Sequence, residues 1–543
     1  MFVIIQRMKV IKFIAAFKYS CVKFSKNNLE KRSVVMAVKI MMLIVFFGVM
    51  IGVGLYSRKS TTSVDGFVLG GRSVGPWLTA FAYGTSYFSA VVFVGYAGQF
   101  GWKYGLASTR IGIGNAVIGS LLAWVILGRR TRVMSQHLRS KTMPDFFGER
   151  FQSKSIKIVA SIIVFVFLVP YTASVYNGLS RLFGMAFNIP YSVCVFIMAV
   201  ITGVYVILGG YMATAINDFI QGIIMLFGIV IVIASVLNGQ GGFIQAIKTM
   251  AEIPSDVPIT LGQQGAFTSF FGPDPLNLLG VVILTSLGTW GLPQMVHKFY
   301  AIKDEKAVKT GTIISTLFAV VISGGCYFLG GFARLFDSPE IYSETGAVVY
   351  DSIIPFMLSK LPDILIGIVV VLVLSASMST LSSLVLTSSS TLTLDFLKDT
   401  IIKKMDEKKQ VLIMQILIVF FIVLSVVIAL DPPTFIAQLM GISWGALAGA
   451  FLAPFLYGLY WKGVTRAAVW ASFIGGVGIT LANMIHPMFN SPINAGAAAM
   501  IAGLIIVPIV SFITPKMDKK TVDEIFVCYD EKVLISKKRS LEE

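Results

Sequence analysis

Stretches of about twenty mostly apolar, uncharged residues recur along this chain from residue 36 to residue 514, and that recurrence leaves few folds open. A helix needs roughly 20 such residues to cross the hydrocarbon of a bilayer, because each residue adds only about 1.5 Å of rise. The runs lie near 36–56, 76–97, 106–128, 156–180, 189–209, 216–237, 276–297, 309–333, 362–388, 410–430, 434–460, 466–485 and 496–514. They make about thirteen spans. At that depth each span must satisfy its own backbone groups, so the expected class is an all-α polytopic membrane protein. Composition agrees: 56% of residues are hydrophobic and 13% charged, the mean hydropathy is +0.82, and no stretch remains for a soluble domain of useful size.

Charge predicts the orientation. The connection 128–157 carries Arg129, Arg130, Arg132, Arg139, Lys141, Arg150, Lys154 and Lys157, whereas 335–352 carries Asp337, Glu340, Glu344 and Asp351 without a Lys or Arg. The first is therefore expected inside, in the cytoplasm. Lys298 to Lys309, Lys398 to Lys409, and Lys462 with Arg466 then also fall inside. The tail 515–543 lies on the same side, and the first span begins outside. The basic extension 1–35 disagrees, with eight Lys or Arg against Glu30 before residue 34. The simplest reading is a translation start at Met36, which leaves 36–514 as the transmembrane domain. The formal net charge of +17 needs no nucleic acid to explain it, since basic loops lie against anionic lipid.

Other chemistry is thinly represented. Cys21, Cys194, Cys326 and Cys528 are scattered, as are His137, His297 and His486, so neither a disulfide framework nor a transition-metal site is expected. No phosphate-binding loop or nucleophile elbow stands in a soluble segment. The chain is expected to be neither an enzyme nor an ATP-driven pump, and to need no cofactor.

Three polar features interrupt the apolar runs. The second span holds Gly84-Thr85-Ser86 and the seventh Gly288-Thr289-Trp290-Gly291-Leu292-Pro293. They lie five spans apart, hence in opposite directions. Interrupted helices at corresponding places of two inverted halves point to a transporter whose unwound backbone binds ion and solute near the midplane, although Gly and Pro also merely kink membrane helices. Asp218, near the start of the sixth span, is costly there unless it meets a cation or a hydrogen-bond network, and a helix cap is the plainer alternative. In Ser375-Ala376-Ser377-Met378-Ser379-Thr380-Leu381-Ser382-Ser383, helical spacing puts Ala376, Ser379, Thr380 and Ser383 on one face. Such oxygens suit a small hard cation, though Ser and Thr in membrane helices also back-bond to their own carbonyls.

Together with the run Phe67-Val68-Leu69-Gly70-Gly71-Arg72-Ser73-Val74-Gly75-Pro76-Trp77, the Gly209-Gly210 turn before Asp218, Gly291-Leu292-Pro293-Gln294 with Lys298, and Met378-Ser379-Thr380-Leu381-Ser382 with Asp395, the chain resembles the sodium:solute symporter family, nearest its sodium/proline branch. The resemblance runs from about Met36 to the mid-400s. It implies thirteen helices with the N-terminus outside, and a five-plus-five inverted-repeat core of the leucine-transporter kind. It implies a first sodium site of the Thr85, Phe88 and Ala376 carbonyls with the Ser379 and Thr380 hydroxyls. Some members carry a second sodium site, whose positions here are Asp218, Ser382 and Ser383 with Ser379 beside them. The solute positions become Tyr87 where the proline branch has aspartate, Val91 where it has tryptophan, and Thr285 and Thr289 in place of flanking aromatics, with Trp290 one step on. Tyr171 and Arg72, the latter a coupling residue, match. Proline is therefore not the expected solute. The function implied is sodium-coupled import of a small organic solute, such as an amino acid or organic acid, across the cytoplasmic membrane. Proton coupling through Asp218, a nutrient sensor and a channel are the competing readings.

Overall fold

The computed structural model of the protein describes residues 33–58, 63–187, 189–402, 405–489 and 491–530. The basic extension 1–35 lies almost wholly outside the described residues, as does the tail beyond 530. The described residues form helices and turns with two isolated β-bridges and no strand. Among the described residues, eleven helical segments are long and apolar enough to cross a membrane. Two of these are double passes. Tyr191–Gly239 has 49 residues, which at about 1.5 Å each is more than twice the hydrocarbon thickness. It is divided at Gly210 (φ 51°, ψ −150°), where an added Cβ would sit 2.9 Å from the Phe67 carbonyl oxygen. Val91–His137 is divided likewise at Gly105 (φ 59°, ψ −140°), where a Cβ would meet the Phe267 carbonyl oxygen at 2.2 Å. Only glycine takes such backbone angles beside a neighbouring chain without strain. With both divisions the eleven segments make the thirteen passes expected.

In order, the helices are α1 (Ser33–Ser57), a broken pass of α2 (Pro76–Tyr87) and α3 (91–104), α4 (109–137), α5 (Lys154–Phe187), α6 (191–209) and α7 (211–239). A second broken pass, α8 (Pro275–Leu287) with α9 (Pro293–Ala301), is followed by α10 (Glu305–Gly330), the short α11 (Tyr350–Ser359), α12 (Asp363–Thr391), α13 (Glu407–Leu430) and α14 (Ile436–Tyr460). Then come α15 (Arg466–Ile485), α16 (Pro492–Ile513) and α17 (Lys519–Asp530). The passes from α2 to α7 and from α8 to α14 are the two inverted repeats. Within its most apolar window α12 is 78% buried and α14 94%, against 17% for α1 and 28% for α13. So α12 and α14 belong to the centre and α1 and α13 face outward. α12 packs on α2, α5 and the α6–α7 pair.

Polar contacts sort the connections into two ends. At a basic end, Arg129 pairs with Glu305 at 2.6 Å, Lys157 with Asp145 at 2.7 Å, and Lys462 with Asp523 at 2.7 Å. There Arg150 also donates to the Gly458 carbonyl at 2.9 Å and Arg466 to that of Phe151 at 2.7 Å. At the acidic end, Arg334 pairs with Asp256 at 2.7 Å, and Asp351 accepts the Ile436 N–H at the start of α14. A cavity of about 630 Å³ opens there beside Arg181, Tyr191, Glu340 and Asp351.

Two expectations need correction. The first broken pass does not part at Gly84-Thr85-Ser86, which stay helical. It parts at Phe88 (φ −109°, ψ 89°). Gly84 is instead a packing residue, since a Cβ there would lie 2.4 Å from the Phe318 ring. Nor is Lys298 part of a loop. α9 runs on to Ala301 and buries Lys298 at 2% exposure.

Candidate ion and solute site

The break after Tyr87 strands two carbonyls. Inside a helix the Thr85 and Ser86 oxygens would accept the N–H groups of residues 89 and 90, but the chain turns away at Phe88 and Ser89 starts a new helix. Ser89 caps that helix, its carbonyl accepting from Val92 at 3.0 Å and Phe93 at 3.1 Å, and its Oγ accepting from Val91 at 3.1 Å. α12 supplies new partners for the stranded pair. Ser379 donates to the Thr85 carbonyl and to that of Ala376, each at 3.1 Å. Thr380 reaches the same two at 3.3 and 3.2 Å and the Ser86 carbonyl at 3.4 Å. Three carbonyl and two hydroxyl oxygens thus converge, all on buried residues. An oxygen-only cage of this kind is what a dehydrated hard cation needs, the hydroxyl protons turning outward as the ion enters. The Thr85 side chain takes no part, since it bonds back to Phe81 at 2.8 Å. The Ser86 carbonyl is an addition to the expected set, and none of these hydrogen bonds involves Phe88. Ser375 and Ser377 back-bond to Val371 and Val373 at 2.8 and 2.6 Å and belong to packing.

The second group of oxygens is arranged differently. Ser382 bonds back to the Ser379 carbonyl at 2.9 Å. Ser383 Oγ receives a hydrogen bond from Lys298 Nζ at 2.9 Å and lies 2.8 Å from Ser86 Oγ, to which its own single proton is therefore free to go. Asp218 is fully buried, its Oδ2 stands 3.7 Å from Lys298 Nζ, and neither carboxylate oxygen has a hydrogen bond. In the sequence Lys298 stands out only as a motif landmark, and reasoning from sequence misses it as a site residue. The available signal is its place five residues after Pro293, still within the reach of that helix.

The expected solute residues gather where the two broken passes meet. The Tyr87 hydroxyl donates to the Thr285 carbonyl at 2.5 Å, and Thr289 donates to the Ser286 carbonyl at 3.0 Å and the Gly119 carbonyl at 3.2 Å. Trp290 Nε1 donates to the Ile118 carbonyl at 3.0 Å, the Thr285 hydroxyl bonds back to Val281, and Val91 is buried at the start of α3. Those polar atoms are all engaged with backbone. The Tyr171 hydroxyl and the indole N–H of Trp444, both buried, bond to no backbone group and face each other, the hydroxyl also facing Ser89. Their rings meet edge to face at 5.9 Å, and the Tyr87 ring lies 6.1 Å from that of Trp444. Trp444, overlooked in the sequence, is the one large polar-tipped residue of Gly441-Ile442-Ser443-Trp444-Gly445.

The profile of the sodium:solute symporter family matches residues 67–476, most of the chain. The chain belongs to that family. The sodium/proline symporter of Staphylococcus aureus is similar to this symporter, 30% identical over 506 residues that span 88% of the chain and 92% of the relative. Among solved structures, a Na+-coupled sialic acid symporter in a substrate-bound outward-open state matches with a TM-score of 0.71 at 15% identity, covering 89% of this chain and 99% of the other. That likeness establishes the leucine-transporter fold. Together these findings make the chain a multi-pass membrane transporter of a sodium-coupled family.

At the basic end, Arg72 joins separate segments of the chain. Its guanidinium donates to Ser135 Oγ at 3.2 Å, to the Tyr300 carbonyl at 3.3 Å and to the Ser140 carbonyl at 2.6 Å. It thereby ties the start of α2 to α4 and α9. Backbone bonds join the same strips, Val74 N–H to the Ala301 carbonyl at 3.2 Å and Lys303 N–H to the Val74 carbonyl at 3.1 Å.

Proposed function

We propose that the protein couples inward sodium movement to the import of a small carboxylate-bearing solute, an amino acid or organic acid, across the cytoplasmic membrane. The N-terminus lies outside and the basic end inside. The observation that carries this reading is the cage of Thr85, Ser86, Ala376, Ser379 and Thr380 oxygens, because it joins a broken helix of the first repeat to the central helix of the second. An ion held there fastens α2 to α12 and favours the arrangement in which the basic end is shut. Each sodium ion brings about 2.3 kcal/mol per 100 mV of membrane potential, before any concentration gradient is added. It acts by population shift, needing only to bind one arrangement more tightly than the other.

The chemistry of the solute is read from the Tyr171 hydroxyl and the Trp444 indole N–H, two buried groups that have no backbone partner and face each other, with the hydroxyl toward Ser89 at the start of α3. A helix start carries partial positive charge, and with two donors it favours a carboxylate. Tyr87 and Val91, standing for the aspartate and tryptophan of the proline branch, make a larger or less basic solute a better fit than proline. A screen of amino and organic acids by thermal shift on purified protein tests this. The expected hit stabilises with sodium chloride present and not with choline chloride. A Ser379→Ala, Thr380→Ala protein that keeps full sodium-stimulated uptake of that hit would remove the sodium assignment.

A further inference from the structure

We propose that the ammonium of Lys298 is a built-in second cation, so that this symporter cycles with one sodium ion. The inference rests on the sodium reading above. Asp218 and Ser383 stand at the positions of a second sodium site, and in this structure the ammonium already serves both. Lys298 Nζ donates to Ser383 Oγ at 2.9 Å, stands 3.7 Å from Asp218 Oδ2, and lies 5.3 Å from the centre of the Tyr211 ring.

Charge balance is the stronger argument. Lys298 is 2% exposed and Asp218 is fully buried, and among the described residues neither has another charged partner in an ion pair. One buried ammonium and one buried carboxylate cancel. A sodium ion added between them would stand against the ammonium, two cations sharing one carboxylate. Space and donors tell the same way. Ser383 accepts from the ammonium and has its own proton for Ser86, so its oxygen is committed to Lys298. Ser382, the other expected ligand, turns its hydroxyl back to the Ser379 carbonyl at 2.9 Å. Ser379, beside them, has its hydroxyl on the Thr85 and Ala376 carbonyls of the sodium cage, so what remains of the second site is the carboxylate itself, the counter-charge the lysine needs.

The arrangement also replaces what a second ion would do mechanically. Asp218 lies on α7, Ser383 on α12 and Lys298 on α9, so the ammonium links three core helices. Through Ser383 and Ser86 it reaches the residue whose carbonyl forms part of the sodium cage. A charge that cannot leave keeps the link in every cycle, and no electrochemical gradient is gained from it.

The test is equilibrium binding of radioactive sodium to the purified full-length protein, with choline holding ionic strength constant. The expected count is about one ion per chain in the wild type, about two in Lys298→Ala, and about one again in Lys298→Arg. Should Lys298→Ala fail to fold, Asp218→Asn with Lys298→Met removes both charges and is expected to bind about one. A wild-type count of two overturns the proposal, as does a folded Lys298→Ala protein that binds only one. A wild-type count of zero overturns the sodium reading and the proposal with it. A single wild-type ion lost in Ser379→Ala, Thr380→Ala places that ion in the cage and upholds both.

Discussion

In Thr85 the carbonyl and the side chain face different partners. Its carbonyl accepts from Ser379 and Thr380, while its hydroxyl is turned back to Phe81. Thr85→Ala should therefore leave sodium affinity within about threefold of wild type, whereas Thr380→Ala should weaken it by about tenfold or more, a loss of at least 1.4 kcal/mol. Sodium titrations of binding compare the two directly, and equal losses would put the Thr85 side chain in the cage. The family resemblance implies this division, since a carbonyl ligand tolerates any side chain and a hydroxyl ligand does not. Lys298 is not readable in the same way. A basic residue at the end of an apolar run looks like a loop charge until α9 is seen to continue past it and carry it to Asp218. Trp444 escapes for a related reason: indole is at home in any membrane helix, and only its meeting with Tyr171 in the folded chain marks it out.

At the scale of elements, the two broken passes differ in how far their own residues determine the break. Gly291-Leu292-Pro293 parts α8 from α9 by local chemistry, because Pro293 lacks an N–H and Leu292 before it is pushed into extended backbone (φ −87°, ψ 121°). The first break has no proline, and the glycine nearest to it is consumed in packing against Phe318. It falls at Phe88 because Tyr87 is held by Thr285 and Ser89 caps the start of α3, and the first of these contacts exists only in the folded chain. Gly210 is a local determinant again. Gly210→Ala forces φ 51° on a residue with a Cβ and presses it on Phe67, so the melting temperature should drop by several degrees or the protein should fail to express. Unchanged melting would mean that α6 and α7 are not parted there. A second element contact is pH-dependent. Asp351 joins α11 to α14 through the Ile436 N–H, and burial lifts its carboxyl to about 6, against the opposing pulls of Arg181 and that N–H. With the folded value raised, its contribution to stability is full below the ordinary carboxylate range and is lost as pH rises through about 6. Asp351→Asn keeps the acceptor without the charge. It should melt higher than wild type at pH 8, with the advantage shrinking as pH falls from 6 to 4. An advantage that grows on acidification would contradict the assignment.

For the whole molecule, transport requires that the two ends never open together, and the structure assigns the basic end to a few groups. The guanidinium of Arg72 makes three hydrogen bonds that tie α2 to α4 and α9, and the Val74 and Ile302 strips run side by side beneath it. The alternation of thirteen passes and the gathering of basic connections at one end are both legible from hydropathy and charge. That Arg72 joins these segments is not legible in hydropathy or charge, because its partners lie 63 to 228 residues away. A hydrogen bond from a charged donor contributes about 1.5–3 kcal/mol, so losing part of the latch shifts a two-state balance by tenfold or more. Arg72→Ala should therefore raise sodium-independent solute leak about tenfold in proteoliposomes, while sodium binding at the cage stays within about threefold. Arg72→Lys should rescue little, since an ammonium cannot fork to three acceptors in the geometry of a guanidinium. The leak distinguishes a latch from a merely structural arginine. A variant that is only less stable would lose uptake and leak in proportion to the protein lost, whereas an unlatched one gains leak per folded molecule.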